Sequence, residues 1–278
     1  MKRLIAVLCA VASLAACGGA GQNAQTPEQV VSGASQKMGQ LKSAKFDMTT
    51  SILEQFPPAF TQSLGPQGAA LSNLTIDLSG SGKAKFPDQA AMSMQVKTGS
   101  VTVSTDMVFA AGKIYLKDPQ SGAYSEVSAA NQLLQFSNQT DPLSGAAVLK
   151  TAQSVKDLGD TTLSGVAVHH YQITPDKNKI ADQASTQQAR DLMRSMLQNG
   201  SVRLEAWIGK DDQLLHRLKD DTDATIDLNQ VMQASGQQLP AGMTLPAGAT
   251  VHAVVNATIN YHDFNSAVTV SVPPVASS

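Results

Sequence analysis

From Thr26 onward the chain begins with a helical period and then changes to a period of two. Thr26-Pro27-Glu28 is a helix start, with Thr26 as N-cap and Pro27 in the first turn. Val30, Val31, Ala34, Met38 and Leu41 follow at helical spacing and predict an amphipathic helix to about Leu41. Then Phe46, Met48, Thr50 and Ile52 alternate with Lys45, Asp47, Thr49 and Ser51. The same alternation recurs in Leu74–Leu78, Met92–Val96, and Val101, Val103, Met107 and Phe109, with shorter segments at Ile114–Leu116 and Tyr124–Val127. One apolar and one polar face per segment is the signature of antiparallel strands wet on one side.

The middle of the chain reads as helical. Ser128–Phe136 and Leu143–Thr151 are short and apolar-rich, and Asp176–Gln198 is the longest predicted helix, ended by Asn199-Gly200. A strand at Val166–Ile173 separates them. Strands resume at Val202–Ile208, Leu214–Lys219 and Ala224–Leu228, and the clearest runs through Thr250–Phe264. A last strand is predicted at Val268–Val272. About ten strands and four helices predict an α+β fold: one large curved antiparallel sheet, an open half-barrel, with helices across its concave face. Without a Pro/Ser linker between Leu41 and Val272, residues 27–272 read as a single domain, followed by a polar tail at 273–278. Ser79-Gly80-Ser81-Gly82 reads as a bend in a strand. The partly apolar stretches Phe56–Leu71 and Leu239–Pro246 read as loops that either fold back to cap an end of the sheet or form a mouth, a lid or a membrane contact.

The first residues have a different character. Lys2 and Arg3 precede an apolar run, Leu4–Val11, that continues with small residues to Leu14-Ala15-Ala16-Cys17. The run is too short to span a bilayer and has the layout of a secretory signal. Small residues directly before a cysteine resemble the bacterial lipobox, in which the sulfur of Cys17 receives diacylglycerol and residues 1–16 are removed. Cleavage takes Cys9 with it, so the mature chain keeps Cys17 alone and forms no intrachain disulfide. Residues 17–26 then form the lipidated cysteine and a flexible tether, whose Gly18–Thr26 part reaches at most about 30 Å. The expected location is the outer face of the cell membrane, with the anchor as membrane contact.

Composition narrows the chemistry. A formal net charge of −2 leaves no footprint for nucleic acid. His169 and His170 are adjacent on a strand and point to opposite faces, while His252 and His262 lie roughly 33 Å apart at ~3.3 Å per residue. No HExxH, paired cysteines, Walker-type loop or GxSxG elbow occurs. Asp220-Asp221-Thr222-Asp223 lacks the Gly and distal Glu of a calcium loop and reads as a solvated turn. The single Trp, Trp207, shares a strand face with Arg203 and Glu205. No catalytic residue, metal site or cofactor is expected.

Three stretches carry a family resemblance: Gly159–Val166 leading into His170-Tyr171-Gln172-Ile173; Val202-Arg203-Leu204-Glu205-Ala206-Trp207-Ile208; and Tyr261–Asn265 followed by Val268-Thr269-Val270 and Pro273. With the lipobox, they make the chain resemble the LppX/LprA/LprF/LprG lipoproteins, similar in fold to the LolA-type lipoprotein carriers. Gly209 stands where that group has Asp. The resemblance implies a curved sheet and helices enclosing an apolar cavity for acyl chains. It implies a non-enzymatic, membrane-anchored lipoprotein that binds a lipid or acylated ligand for transfer or presentation, with an envelope transport protein as a possible partner. The alternative is an envelope scaffold or sensor lipoprotein that binds a protein. A cavity of several hundred Å³ would favour the first reading, and a filled core with an exposed apolar patch the second. Met94, Val96, Val101, Val103, Met107 and Phe109 fall on one face of a predicted hairpin, and Leu192 and Met196 on a helix stripe that could cover them. These eight are the candidate cavity residues.

Overall fold

The computed structural model describes residues 25–63, 65, 68, 72–110, 113–126, 145–184, 187–235 (of 234 and 235 the backbone alone), 245 and 248–274. The leader 1–16, Cys17, the predicted helix at Ser128–Phe136 and nearly all of the Leu239–Pro246 stretch lie outside the described residues.

Helix α1 spans Pro27–Met38 and begins as the sequence predicts. Gln29 N–H donates to Thr26 Oγ1 at 3.3 Å, and Thr26 N–H donates to Gln29 Oε1 at 2.9 Å, a reciprocal cap that satisfies two otherwise unpaired donors. Its buried side, Val31, Ala34, Ser35 and Met38, packs on the sheet. The strands are β1 (Ser43–Gln55), β2 (Asn73–Lys85), β3 (Gln89–Thr98), β4 (Val101–Ala110), β5 (Lys113–Lys117), β6 (Tyr124–Glu126), β7 (Ala152–Leu163), β8 (Val166–Pro175), β9 (Ser201–Gly209), β10 (Leu215–Asp227) and β11 (Thr250–His262).

All eleven form one open antiparallel sheet in the order β6-β5-β4-β3-β2-β1-β11-β10-β9-β8-β7. It consists of two meanders, β1–β6 and β7–β11, joined by pairing β1 with β11. Phe46 lies opposite Tyr261 and Met48 opposite Ile259 at that join. The period-2 pattern fixes which face is buried. Ala44, Phe46 and Met48 are buried, while Lys45, Asp47 and Thr49 between them are exposed. On the apolar face, as the alternation predicts, lie α3 (Gly145–Val148) with the 3-10 turn Leu149–Thr151, α4 (Lys177–Asp182), α5 (Gln187–Gln198) and α6 (Leu228–Ser235), while α2 (Pro58–Ser63) follows the end of β1, its Phe60 ring stacked on Phe56.

The Gly80 and Gly82 segment is not a break. β2 keeps its pairing with β1 and β3 through it, and both glycines lie on the apolar face, opposite Met94 and Met92. A Cβ at Gly82 would stand 2.4 Å from Phe46 Cζ, so glycine here makes room for the buried Phe46 ring.

Three other expectations change. The predicted helix Asp176–Gln198 is two helices: Asp176 caps α4 by accepting from Asn178 N–H, and Arg190 bonds the Ala184 carbonyl oxygen just before α5. Leu214–Lys219 and Ala224–Leu228 merge into the single strand β10, because Asp220–Asp223 pair with β9 on one side and β11 on the other. Val268–Val272 is extended but is no strand. Val270 instead packs beside Val108, Ala110 and Tyr115 on the face opposite the helices. Three elements appear unannounced. α2 forms within the Phe56–Leu71 stretch that reads as a loop, beginning where Phe60 N–H and Thr61 N–H donate to the Pro57 carbonyl oxygen. β7 is an edge strand exposed along most of its length, so burial imprints little alternation on it. α6 starts where Asp227 Oδ1 accepts from Asn229 N–H at 2.8 Å.

Candidate functional site

The eight candidate cavity residues do not converge. Met94 and Met107 are buried in the core at 9% and 7% exposure. Val96 faces Val103 directly across β3 and β4, and Val101 faces Thr98. Phe109 packs half-buried on the same core. Towards the hairpin tip cover thins out: Val103 is 41% and Val101 61% exposed. Leu192 and Met196 belong to α5, which packs on β10 and β9. Strands β2, β1 and β11 stand between β3 and β10, a separation of roughly 19 Å at ~4.8 Å per strand. The apolar stripe of α5 therefore covers the other meander. Strand order decides this, and periodicity cannot supply it.

Among the described residues, a space between helices and sheet lies under α5. It is a cavity of about 80 Å³, floored by Val202 and Leu204 of β9, Leu218 and Asp220 of β10, and Ala257 and Ile259 of β11. Gly145 and Val148 of α3, Ile180 of α4, Gln183 and Ala184 after it, and Met193 of α5 roof it. Space at 145 is tight: a Cβ there would stand 2.2 Å from the Tyr261 hydroxyl oxygen, so the buried tyrosine would have to shift. Beyond the cavity, the apolar face continues across Val255, Ile52, Ile76 and Leu78, all half-buried. Its register is continuous, with Ile52 opposite Val255 on one side and Ile76 on the other.

One carboxylate interrupts this lining. Asp220 lies between Leu204 of β9 and Ala257 of β11. Its Oδ1 accepts from Thr222 Oγ1 at 2.8 Å, the one hydrogen bond the structure gives it among the described residues. Burial among apolar side chains pushes its pKa up to about 6, against the Thr222 hydroxyl, which pulls the other way; the neighbouring Asp221 charge adds to the rise. The neighbouring acids point outward. Burial alone would raise Asp221, but Arg203 at 2.8 Å and Lys219 at 2.9 Å hold it below the ordinary carboxylate range. Asp223 pairs with His252 at 2.9 Å. The expected solvated turn is thus a strand that sends alternate acids to opposite faces. Glu54, further along the apolar face, is also raised, by burial.

The opposite face is polar and carries shallow grooves of about 490, 550 and 470 Å³. Their side chains are tied to one another: Ser93 donates to Asp106 at 2.7 Å, and Lys117 pairs with Asp106 at 2.9 Å. Trp207 lies on this face, its ring stacked on His170 at 4.2 Å between centroids, with the Arg217 guanidinium 5.4 Å from its centre. His170 also meets Glu205 at 2.8 Å, whereas His169 turns to Asp160 at 2.6 Å, so the adjacent histidines do face opposite ways. Among the described residues no group of three or more His, Cys, Asp or Glu side chains is placed to hold a metal ion. No described helix is long and apolar enough to cross a membrane.

No protein-family model matches the chain, and no curated protein matches it. Solved structures similar to it include LprF from Mycobacterium bovis, at 14% identity and a TM-score of 0.44, covering 89% of this chain and 96% of that one. The lipoprotein LppX of Mycobacterium tuberculosis is 12% identical with a TM-score of 0.42, covering 88% and 97%. A LolA-superfamily protein from Nitrosomonas europaea is 9% identical with a TM-score of 0.29, covering 88% and 96%. LprF and LppX belong to the group that the sequence resembles.

Proposed function

We propose that this chain is a non-enzymatic lipid-binding lipoprotein of the cell envelope, held by a diacylated Cys17 at the outer face of the membrane. In this reading it receives acyl chains on the apolar face of its sheet for transfer or presentation. The observation that carries it is the cavity between α3–α5 and β9–β11, continuous with a half-buried apolar strip along β11, β1 and β2. Contacts there are dispersive and non-directional, which suits a chain-like ligand and needs no reactive group. At about 80 Å³ the cavity falls short of the several hundred Å³ expected of a preformed lipid pocket and holds only a few methylenes, so a whole acyl chain would extend along the strip. The sequence resemblance points the same way.

Two experiments test this reading. Native mass spectrometry of the mature protein, followed by lipid extraction, should find a co-purifying lipid; protein that is lipid-free from every host membrane would sink the proposal. Cys17→Ser should leave uncleaved or mislocalised precursor without incorporated acyl label, and normal acylation of that variant would refute the anchor. One feature favours the alternative, a scaffold or sensor that binds a protein partner: Val101 and Val103 form an exposed apolar tip at the end of β3–β4. Crosslinking from that tip to an envelope protein, together with an absence of lipid, would decide for it.

A further inference from the structure

Resting on the lipid-binding reading, we infer that Asp220 is the polar anchor of the cavity, and that the ligand it selects is an amphiphile whose headgroup donates hydrogen bonds, above all a cationic amine. The inference starts from what surrounds the carboxylate. Among the described residues, the groups lining the cavity around it include Val202, Leu204, Leu218, Ala257, Ile259 and Met193, with Gln183 as the only other polar side chain.

Asp220 is half-buried, and a carboxylate set among apolar side chains normally has a cation or several donors facing it. Here the nearby cations are engaged elsewhere. Arg190 of α5 bonds the Ala184 carbonyl oxygen and Gln187. Arg194 pairs with Asp182 and Asp191. Lys177 of α4 reaches the Gly200 carbonyl oxygen. Arg203 of β9 and Lys219 of β10 are on the opposite face with Asp221. Lys37 of α1 bonds the Asp212 carbonyl oxygen. The described stretches of α3 and α6, Gly145–Val148 and Leu228–Ser235, contain no charged residue at all. Lys150 of the 3-10 turn and Lys179 of α4 are exposed to solvent. Among the described residues, none of these bases bonds Asp220, so the fold holds an acid in a largely apolar site without a paired cation.

A stability argument alone would replace such an acid with an apolar residue, because the site has the shape and lining for one. Its chemistry fits a ligand instead. An ammonium or hydroxyl placed in the cavity would complete the partners of Asp220, while its hydrocarbon chain would run from Ala257 toward Val255 and Ile52 along the strip. A carboxylate or phosphate headgroup would meet like charge in a medium of low polarity and be rejected, so one residue gives both attraction and discrimination.

The test compares dodecylamine, dodecanol and dodecanoate binding by calorimetry at pH 7.5, on the mature protein and on Asp220→Asn. Asparagine keeps an acceptor for Thr222, removes the charge and puts an NH2 donor in place of the second carboxylate oxygen. The wild type should bind the amine at least about tenfold more tightly than the acid, with the alcohol between them, and the variant should level the series. Equal binding of amine and acid by the wild type, or an unchanged amine affinity in the variant, overturns the role of Asp220 and leaves the lipid-binding reading intact. If none of the three probes binds the wild type, the lipid-binding reading fails and this inference with it. Should Asp220→Asn not fold, the wild type decides alone. Amine affinity must then fall as the pH is lowered through about 6, where Asp220 gains its proton, and a flat profile overturns the inference.

Discussion

At the scale of single residues, Asp220 makes a prediction about stability that needs no ligand. Its pKa is raised from 3.8 to about 6, so between those two values the folded protein holds a proton that the unfolded chain has lost. Stability from this group is therefore highest below about pH 4, falls as the pH rises through the window, and stays low above about pH 6. A tenfold difference in proton affinity between the folded and unfolded chain corresponds to about 1.4 kcal/mol. With part of the group's surface still open, the expected loss is on the order of 2 kcal/mol. Asp220→Asn should exceed the wild type in stability by that order at pH 7.5 and match it near pH 4. Urea denaturation at the two pH values measures the difference, and a gap that is constant with pH would show that the carboxyl is not buried as described. Gly145 makes a steric prediction. With Tyr261 Oη 2.2 Å from where a Cβ would sit, Gly145→Ala should cost about 1–3 kcal/mol, read as a lower Tm.

At the scale of elements, the hairpin β3–β4 separates core from surface within a few residues. Met107 is 7% exposed and Val103 41%, two positions on the same face of one strand. Val103→Trp should consequently change stability by no more than about 0.5 kcal/mol, the range of ordinary surface substitutions. Leu197→Ala at the end of α5, where the leucine is 2% exposed, should cost about 2–5 kcal/mol. Equal effects of the two substitutions would contradict this placement of the helix. If Val103→Trp also keeps its lipid at wild-type stoichiometry, the hairpin tip is not where acyl chains lie. These elements also show what could be read from the sequence. β1, β3, β4 and β11 were legible because one face of each is buried, so selection wrote a period of two into them. β7 was not, because an exposed edge strand needs no alternation. The inward turn of Asp220 was hidden by its company: four polar residues in a row look like a turn until β9 and β11 are seen pairing on both sides. α6 had readable signals, Asp227 as N-cap with Leu228, Val231 and Met232 at helical spacing, overshadowed by the strand pattern before it. The cavity was least legible. It depends on which strands are neighbours, and hydropathy carries no information on strand order.

At the scale of the whole molecule, the join between β1 and β11 decides how the two meanders behave. Each meander is built from local hairpins, yet β1 pairs along its length with both β2 and β11, and the core runs unbroken from Met92 on one side to Ile173 on the other. Pairing the first strand of the body with the last closes a loop of more than two hundred residues. The contacts that unite the halves are thus the most costly in chain entropy, and they form only when both halves are present. The sheet should unfold as one unit. Trp207, the single tryptophan, sits on β9 and reports the second meander alone, whereas far-ultraviolet circular dichroism reports all eleven strands. In a urea titration the two signals should share one midpoint and one slope. Loss of Trp207 stacking ahead of the dichroism would mean that β7–β11 melts independently and that the β1–β11 join is a seam between two units. In that case the cavity over β9–β11 would belong to a structure able to open without disturbing β1–β6.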